Sequence, residues 1–167
     1  MKLYFYNITR LSEDEYKKWF ALMNAEKQQR VSRFRFSDDR KRTVVGEMLA
    51  RKAVSEWCNV PMESIVIRTK KSGKPFAIGL PVEFSISHSG KLVVCAVSNK
   101  PIGVDIELVR PIDMNVAKHV FSTEELVHLF GHTPTEADFT SQPDRDTLFR
   151  FFELWTKKEA YFKKESE

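Results

Sequence analysis

Cysteine is scarce in this chain of 167 residues, which contains only Cys58 and Cys95. The two lie far apart in separate apolar stretches, so neither a disulfide framework nor a CxxC zinc site is indicated. We expect two free, buried thiols. Long apolar runs are also missing, and the N-terminal residues lack the apolar core and small-residue cleavage site of a signal peptide. These absences predict a cytoplasmic protein without a membrane partner.

Repeats and low-complexity tracts are not evident either. The composition is 42% hydrophobic and 12% aromatic, which is enough to build a buried core. A chain of this length and composition forms one compact unit, or one domain with part of a second.

Positive charge is unevenly distributed along the chain. The formal net charge is +4, yet residues 27–42 alone carry +5, from seven cations against two aspartates. Such a block suits a phosphate-bearing partner or an acidic protein surface, although a solvated helical face has the same charge pattern. Because Phe34 and Phe36 interleave with the cations, a nucleic-acid-binding module is a rival interpretation.

The first part of the chain carries clear helix-start signals. Ser12 and Glu15 have the spacing of a capping box, and Asn24 is a second candidate N-cap. The predicted elements here are a strand over KLYFYNI, a helix after Ser12, a short helix after Asn24, and a long helix from Asp38 or Asp39 to about Cys58.

Short β-branched or alternating runs follow, separated by turn residues. SIVIRT, FSISHS, LVVCAVS and IGVDIE predict an antiparallel sheet. After residue 108 the pattern changes to helices over FSTEELVHLF and TLFRFFELWTKKEAYFKK, joined by a polar connection from about Gly131 to Asp146.

The IGVDIE run contains two acids in a segment that otherwise resembles a buried strand. Strand geometry would place Gly103, Asp105 and Glu107 on one face. Carboxylates in this arrangement suit magnesium, whose remaining ligands are phosphate and water oxygens. A solvent-facing strand end is the commoner explanation of an isolated DxE motif.

Other candidate residues lie near the ends of predicted elements. His88 lies at the end of the FSISHSG strand beside Ser87 and can donate to a phosphate, although a lone histidine is more often structural. Glu159 and Lys163 are one helical turn apart, which is also the spacing of an ordinary ion pair. Glu125 is the N3 member of a capping box on Ser122, a sufficient structural reason for its presence.

Taken together, FSISHSG, IGVDIE, FSTEE and WTKKEAYFK resemble the signature motifs of the 4′-phosphopantetheinyl transferases. EKQQRVSRF, KRTVVGEML and SGKPF further resemble the surfactin-synthetase-activating branch of that family. The resemblance implies an α+β, pseudo-twofold fold with an antiparallel sheet packed on helices. Residues 1–108 would form the N-terminal half, and residues 109–167 the start of a C-terminal half without its usual final strands.

Enzymes of this family transfer the phosphopantetheine arm of coenzyme A to a serine of an acyl or peptidyl carrier protein and release adenosine 3′,5′-bisphosphate. The resemblance implies that Asp105, Glu107 and Glu159 hold magnesium. It assigns coenzyme A binding to Lys27, Arg30, Arg42, Lys74, Ser87, His88, Lys158 and Lys163. It assigns the chemical step to Lys163, at the leaving group, and to Glu159 or Glu125 as the general base.

The incomplete second half leads to two further expectations. Six aromatic residues, Phe149, Phe151, Phe152, Trp155, Tyr161 and Phe162, would lack a covering layer. We therefore expect either self-association through this helix or local mobility of it, and impaired turnover. A catalytically silent coenzyme A-binding protein is an alternative. Nucleic acid is not an expected partner, because an acidic cluster without a metal would not favour its binding.

Overall fold

The computed structural model describes residues 1–165, and this part of the chain contains helices and antiparallel strands. The strands are β1 (Lys2–Asn7), β2 (Ile67–Thr69), β3 (Pro75–Ala77), β4 (Glu83–Ser89) and β5 (Leu92–Ser98). The helices are α1 (Glu13–Ala21), α2 (Ala25–Ser32), α3 (Ser37–Cys58), α4 (Asn115–Val120), α5 (Thr123–Phe130), α6 (Glu136–Thr140) and α7 (Arg145–Glu165). The predicted α+β class is confirmed.

The main sheet has the strand order β1-β5-β4, and both pairings are antiparallel. Strands β2 and β3 form a separate two-stranded sheet. Alternate residues of β5, including Val93 and Val97, belong to the same core as Val45 and Leu49 of α3. Gly46 of α3 allows close packing on β4, since an added Cβ there would lie 3.3 Å from Ile86 Cγ2.

The chain divides into two compact units. Met1–Ile106, together with the segment that starts at Glu159, forms the first unit, and Glu107–Lys158 forms the second. The second unit has its own core, which includes Met114, Leu129 and Phe139. The predicted division into residues 1–108 and 109–167, and the predicted incompleteness of the second half, stay predictions.

The helix starts predicted at Ser12, Asn24 and Ser122 are confirmed, whereas α3 begins at Ser37, before the predicted start at Asp38 or Asp39. Ser12 and Glu15 form a capping box on α1, and the Asn24 side chain accepts a hydrogen bond from the Lys27 N–H at 2.9 Å. Ser122 and Glu125 form the capping box predicted for α5. The first backbone N–H groups of a helix have no acceptor within the helix, and a nearby side chain can supply one. Capping signals can therefore be read from neighbouring residues in the sequence.

Three sequence-based expectations are wrong. IGVDIE forms no regular strand, because its backbone N–H groups are bound by serine side chains of β4 instead of a partner strand. Cys58 is half-buried at the end of α3, so of the two free thiols only Cys95 is buried. The polar connection contains α6, whose first turn is capped by Thr135 and Asp138.

The aromatic residues of α7 are better covered than expected. Phe151 and Phe152 are buried in the core of the second unit, with Trp155 packed against them. Tyr161 and Phe162 are each 58% exposed. The expectation that all six rings lack cover is therefore wrong for the buried pair. No helix within residues 1–165 combines the length and apolar character needed to cross a membrane.

Candidate functional site

The acidic segment is attached to β4 by side-chain hydroxyl groups. The Val104 N–H donates to Ser85 Oγ at 3.1 Å, and the Ile106 N–H donates to Ser87 Oγ at 3.4 Å. Both serines are buried and lie two residues apart on one face of β4. Asp105, between the two bonded amides, is thereby held against this strand.

The Asp105 carboxylate is the most enclosed acidic group among the predicted site residues, with a side chain 4% exposed. Its Oδ1 accepts hydrogen bonds from Ser87 Oγ at 2.7 Å and from Lys163 Nζ at 2.5 Å. Lys163 Nζ also lies 3.1 Å from Ser87 Oγ, which closes a triangle of three polar groups. Two predicted cofactor-binding residues and a predicted metal ligand are thus brought together.

The second oxygen of Asp105 is different, because Oδ2 is buried and has no hydrogen-bond partner within residues 1–165. A buried carboxylate oxygen without a donor is costly. A cation or a donor from a ligand would satisfy it.

Gly103 lets the acidic segment approach α7 closely. An added Cβ at Gly103 would lie 1.8 Å from the Ala160 carbonyl oxygen and 2.7 Å from the Lys164 nitrogen, both backbone atoms. Only glycine fits such a contact without movement of one backbone. The segment that carries Asp105 is therefore confined between β4 and the last turns of α7.

The other two predicted metal ligands are half-buried. Glu107 follows Asp105 by two residues, and Glu159 lies on α7 one turn before Lys163. No three His, Cys, Asp or Glu side chains in the described part of the chain are grouped to hold a metal ion. The assignment of Asp105, Glu107 and Glu159 to magnesium stays a prediction.

Glu125 and Lys158 form an ion pair inside the second unit. Lys158 Nζ lies 2.5 Å from Glu125 Oε2, which also accepts from the Ser122 backbone N–H at 2.7 Å. The Lys158 hydrogen bond, followed by the Ser122 backbone hydrogen bond, lowers the pKa of Glu125. Both effects favour the ionised carboxylate and make it a weaker base.

Lys27 belongs to a buried charge network that the sequence did not reveal. Its Nζ lies 2.5 Å from Glu47 Oε2, and the Glu47 side chain is only 6% exposed. Arg51 binds the other Glu47 oxygen and also donates to the Ile65 carbonyl at 2.6 Å. Two charged residues spaced by four in the apolar run VVGEMLAR were the available sequence signal.

Arg42 and His88 lie at the β4–β5 turn. Arg42 pairs with Asp39 and donates to the Gly90 carbonyl at 2.7 Å, while its buried Nε has no partner among residues 1–165. Partial removal of His88 from water, followed by the positive charges of Arg42 and Lys163, lowers the pKa of His88. A neutral imidazole is therefore favoured, and an anionic ligand would reverse this effect.

Lys74 lines an open pocket of about 260 Å³ in the first unit. The pocket is also lined by Ser72, Gly73, Pro75, Ser85, Ile86 and Lys163. Lys74 Nζ lies 3.2 Å from Glu83 Oε2 and donates to the Lys164 carbonyl at 3.4 Å. Two lysines therefore border one small cavity. Arg30, in contrast, is exposed on α2.

The first unit is thus an α+β module with a basic helical region and a buried aspartate paired to a partly exposed lysine, whose cations suit an anionic ligand. Comparison with known proteins identifies this class more closely. A family model described as 4′-phosphopantetheinyl transferase, N-terminal, matches residues 10–100. A model of the 4′-phosphopantetheinyl transferase superfamily matches residues 101–165. The chain belongs to the 4′-phosphopantetheinyl transferase family.

Curated relatives agree with this assignment. The chain is 40% identical over 139 residues to 4′-phosphopantetheinyl transferase psf-1 of Bacillus pumilus, covering 83% of this chain and 55% of that protein. It is 36% identical over 165 residues to a 4′-phosphopantetheinyl transferase of Bacillus subtilis, covering 98% and 69%. It is 34% identical to 4′-phosphopantetheinyl transferase Sfp of Bacillus subtilis strain 168, covering 100% and 71%. The chain spans between about half and three quarters of the length of these relatives.

Proposed function

We propose that this protein transfers the 4′-phosphopantetheine group of coenzyme A to a serine of an acyl or peptidyl carrier protein. The observation that carries the proposal is the buried Asp105 carboxylate, with Lys163 on one oxygen and, within residues 1–165, no hydrogen-bond partner on the other. This arrangement suits a site that receives a second positive charge together with an anionic substrate. Family membership supplies the reaction class.

Magnesium is the proposed cofactor, and the donor chemistry of the chain fits it. Carboxylate oxygens are preferred magnesium ligands, and Asp105 Oδ2 is a buried oxygen without a hydrogen-bond donor in the described part of the chain. We propose Asp105, Glu107 and Glu159 as its protein ligands. Magnesium commonly takes one or two carboxylates together with substrate phosphates, so a group of three ligands need not exist before the substrate binds. When bound, it would neutralise charge on the pyrophosphate.

The basic residues of the first unit are proposed to bind the nucleotide part of coenzyme A. Arg42 and His88 lie together at the β4–β5 turn, and Arg30 is exposed to solvent on α2. Lys27 and Lys74 complete this proposed set, with Lys27 anchored by Glu47. Cations of this kind favour phosphate groups by charge-assisted hydrogen bonds.

Lys163 is proposed to stabilise the leaving group. As the carrier serine Oγ forms its bond to phosphorus, the bond from phosphorus to the bridging oxygen breaks and negative charge develops on adenosine 3′,5′-bisphosphate. Lys163, positioned by Asp105 and Ser87, can offer a proton or a hydrogen bond to that oxygen. Lys158 is the second lysine proposed for the pyrophosphate, and it is paired with Glu125 in this structure.

Glu159 is the proposed general base for the carrier serine. Glu125 is less suited because Lys158 and the Ser122 N–H hold its Oε2 and lower its pKa. Proton removal from serine needs a carboxylate oxygen that is free to accept, and Glu159 would keep one such oxygen if it binds magnesium through the other. We therefore assign Glu125 the role of orienting Lys158.

Mass spectrometry of an apo carrier protein incubated with this protein, coenzyme A and magnesium tests the proposal. We expect a mass increase that corresponds to one phosphopantetheine group, and its loss in Asp105→Asn. Calorimetry should show that magnesium strengthens coenzyme A binding and that dephospho-coenzyme A binds more weakly. No carrier modification, combined with tight binding of single-stranded RNA and a steep salt dependence, would instead support the nucleic-acid interpretation.

A further inference from the structure

We propose that Ser85 is a positioning residue for the acidic segment, a role that rests on the proposed function. Ser85 Oγ is the acceptor for the Val104 N–H, at 3.1 Å, immediately before Asp105. Ser85 is 5% exposed, so water does not readily replace this acceptor. The hydroxyl group thus accepts the hydrogen bond that a backbone carbonyl of a neighbouring strand would otherwise accept.

The backbone N–H groups around Asp105 have few other hydrogen-bond acceptors. Residues 101–113 contain no regular helix or strand. Ile106 N–H, on the far side of Asp105, reaches Ser87 Oγ at the longer distance of 3.4 Å. Ser87 Oγ also contacts the Asp105 carboxylate and Lys163, so it serves several partners at once. Of the two serine hydroxyl groups, Ser85 Oγ therefore acts more specifically as an acceptor for the backbone of the acidic segment.

Loss of the hydrogen bond to Ser85 would change the position of Asp105 Oδ2. Gly103 is packed against the Ala160 carbonyl on one side, and the Val104 N–H is held by Ser85 on the next residue. With the second contact gone, the segment can shift away from β4, and the direction of the carboxylate is no longer fixed. Ligands that must be placed within a fraction of an ångström depend on supporting groups of this kind.

Calorimetry of coenzyme A binding to Ser85→Ala, in magnesium and in excess chelator, tests the inference. We expect about fivefold weaker binding in magnesium, as for the loss of one neutral hydrogen bond, and no change from the unmodified protein in chelator. Ser85→Thr keeps the hydroxyl group and should restore binding. Ser98→Ala is the matched control, because Ser98 is also buried and accepts from the Lys100 N–H at 3.1 Å, away from the acidic segment.

Equal losses in magnesium and chelator would overturn the inference, since they would indicate direct contact with the ligand or a general structural effect. Unchanged affinity in magnesium, or an equal loss in Ser98→Ala, would also overturn it. If Ser85→Ala does not fold, the near-isosteric Ser85→Cys, a weak acceptor, should give an intermediate loss in magnesium.

Amide hydrogen exchange of Val104 without ligand separates this inference from the proposed function. Ser85→Ala should speed exchange at Val104 about fivefold or more, whether or not the protein binds coenzyme A. Absence of magnesium-dependent binding in the unmodified protein would refute the proposed function alone. Unchanged exchange at Val104 would refute the positioning role.

Discussion

At the scale of single residues, Lys27 has two roles to reconcile. Its ammonium group neutralises the buried Glu47 carboxylate, whereas the proposed function also assigns it to a phosphate. Arg30, one helical turn later on α2, is exposed. The two positions therefore differ in what a substitution should change.

We predict that Lys27→Met lowers both stability and coenzyme A affinity, whereas Arg30→Met lowers affinity alone. Removing one partner of a buried ion pair is costly, but Glu47 keeps Arg51, so we expect a loss of about 2 kcal/mol for Lys27→Met. An exposed substitution such as Arg30→Met should stay within about 0.5 kcal/mol. Urea unfolding and calorimetry measure the two effects. Equal stability of both variants would contradict the structural role of Lys27.

Glu125 provides a prediction about pH. Because the pKa of Glu125 is lowered in the folded protein, its ion pair stabilises the fold above the unfolded pKa of about 4.3 and loses this effect as pH falls through the folded pKa. Glu125→Gln should therefore cost about 1 kcal/mol at pH 7, within the range of partly exposed pairs. The cost should be smaller at pH 3 than at pH 7, because pH 3 lies below the unfolded pKa.

Chemical denaturation at both pH values checks this expectation. Glu124→Gln is the matched control, since Glu124 is exposed in the same first turn of α5. It should show little difference between the two pH values. A cost for Glu125→Gln that is as large at pH 3 as at pH 7 would mean that the Lys158 ion pair is not its source.

At the scale of elements, signals confined to neighbouring residues predicted the structure well. The capping residues Ser12, Asn24 and Ser122 mark helices that the structure contains. IGVDIE was mispredicted as a strand because alternation describes an extended backbone without specifying its hydrogen-bond partner. Here the partners are two serine hydroxyl groups of β4, which no periodicity reveals.

Gly103 provides a prediction for the contact between the acidic segment and α7. The Cβ added by Gly103→Ala would collide with the backbone of Ala160 and Lys164, so one segment must move. We expect a loss of about 3 kcal/mol or more, as for severe overpacking. Thermal unfolding should show this loss, and amide exchange should accelerate over residues 159–165.

Gly46→Ala is the matched control for Gly103→Ala. Its added Cβ would meet two side chains and no backbone: Ile86 at 3.3 Å, which can adjust, and Val93 at 3.9 Å, an ordinary contact. Alanine also favours the interior of α3 by about 1 kcal/mol over glycine. We expect a change near zero. A large loss at Gly46, or a small one at Gly103, would contradict this account of the two contacts.

At the scale of the whole molecule, partners distant in sequence were the least predictable feature. Asp105 and Lys163 were each singled out by sequence pattern and given roles by the family resemblance, but their direct pairing was not predicted. Glu47 and Arg51 were missed because apolar neighbours made them appear part of an ordinary core helix. Composition says little about buried ion pairs, because a charged side chain can be buried only where the fold brings a partner next to it.

Self-association of the whole molecule is a prediction based on the exposed rings of α7. Tyr161 and Phe162 are each 58% exposed, next to one another on the helix. We expect sedimentation velocity to show reversible association at high concentration, driven by burial of these rings. The double variant Tyr161→Ser/Phe162→Ser should be monomeric, whereas Phe149→Ser, at a ring that is 49% exposed, should behave as the unmodified protein. Association unaffected by the double variant would assign it to another surface.

The discontinuous first unit has a consequence for synthesis on the ribosome. Its two parts, up to Ile106 and from Glu159 onward, are separated by the 52 residues 107–158. At about 5–20 residues per second, roughly 3–10 s pass between translation of one part and the other. During this interval the nascent chain holds Asp105 without Lys163 and Gly103 without the α7 backbone. Chaperones that bind incomplete domains therefore have a defined period in which the acidic segment is accessible.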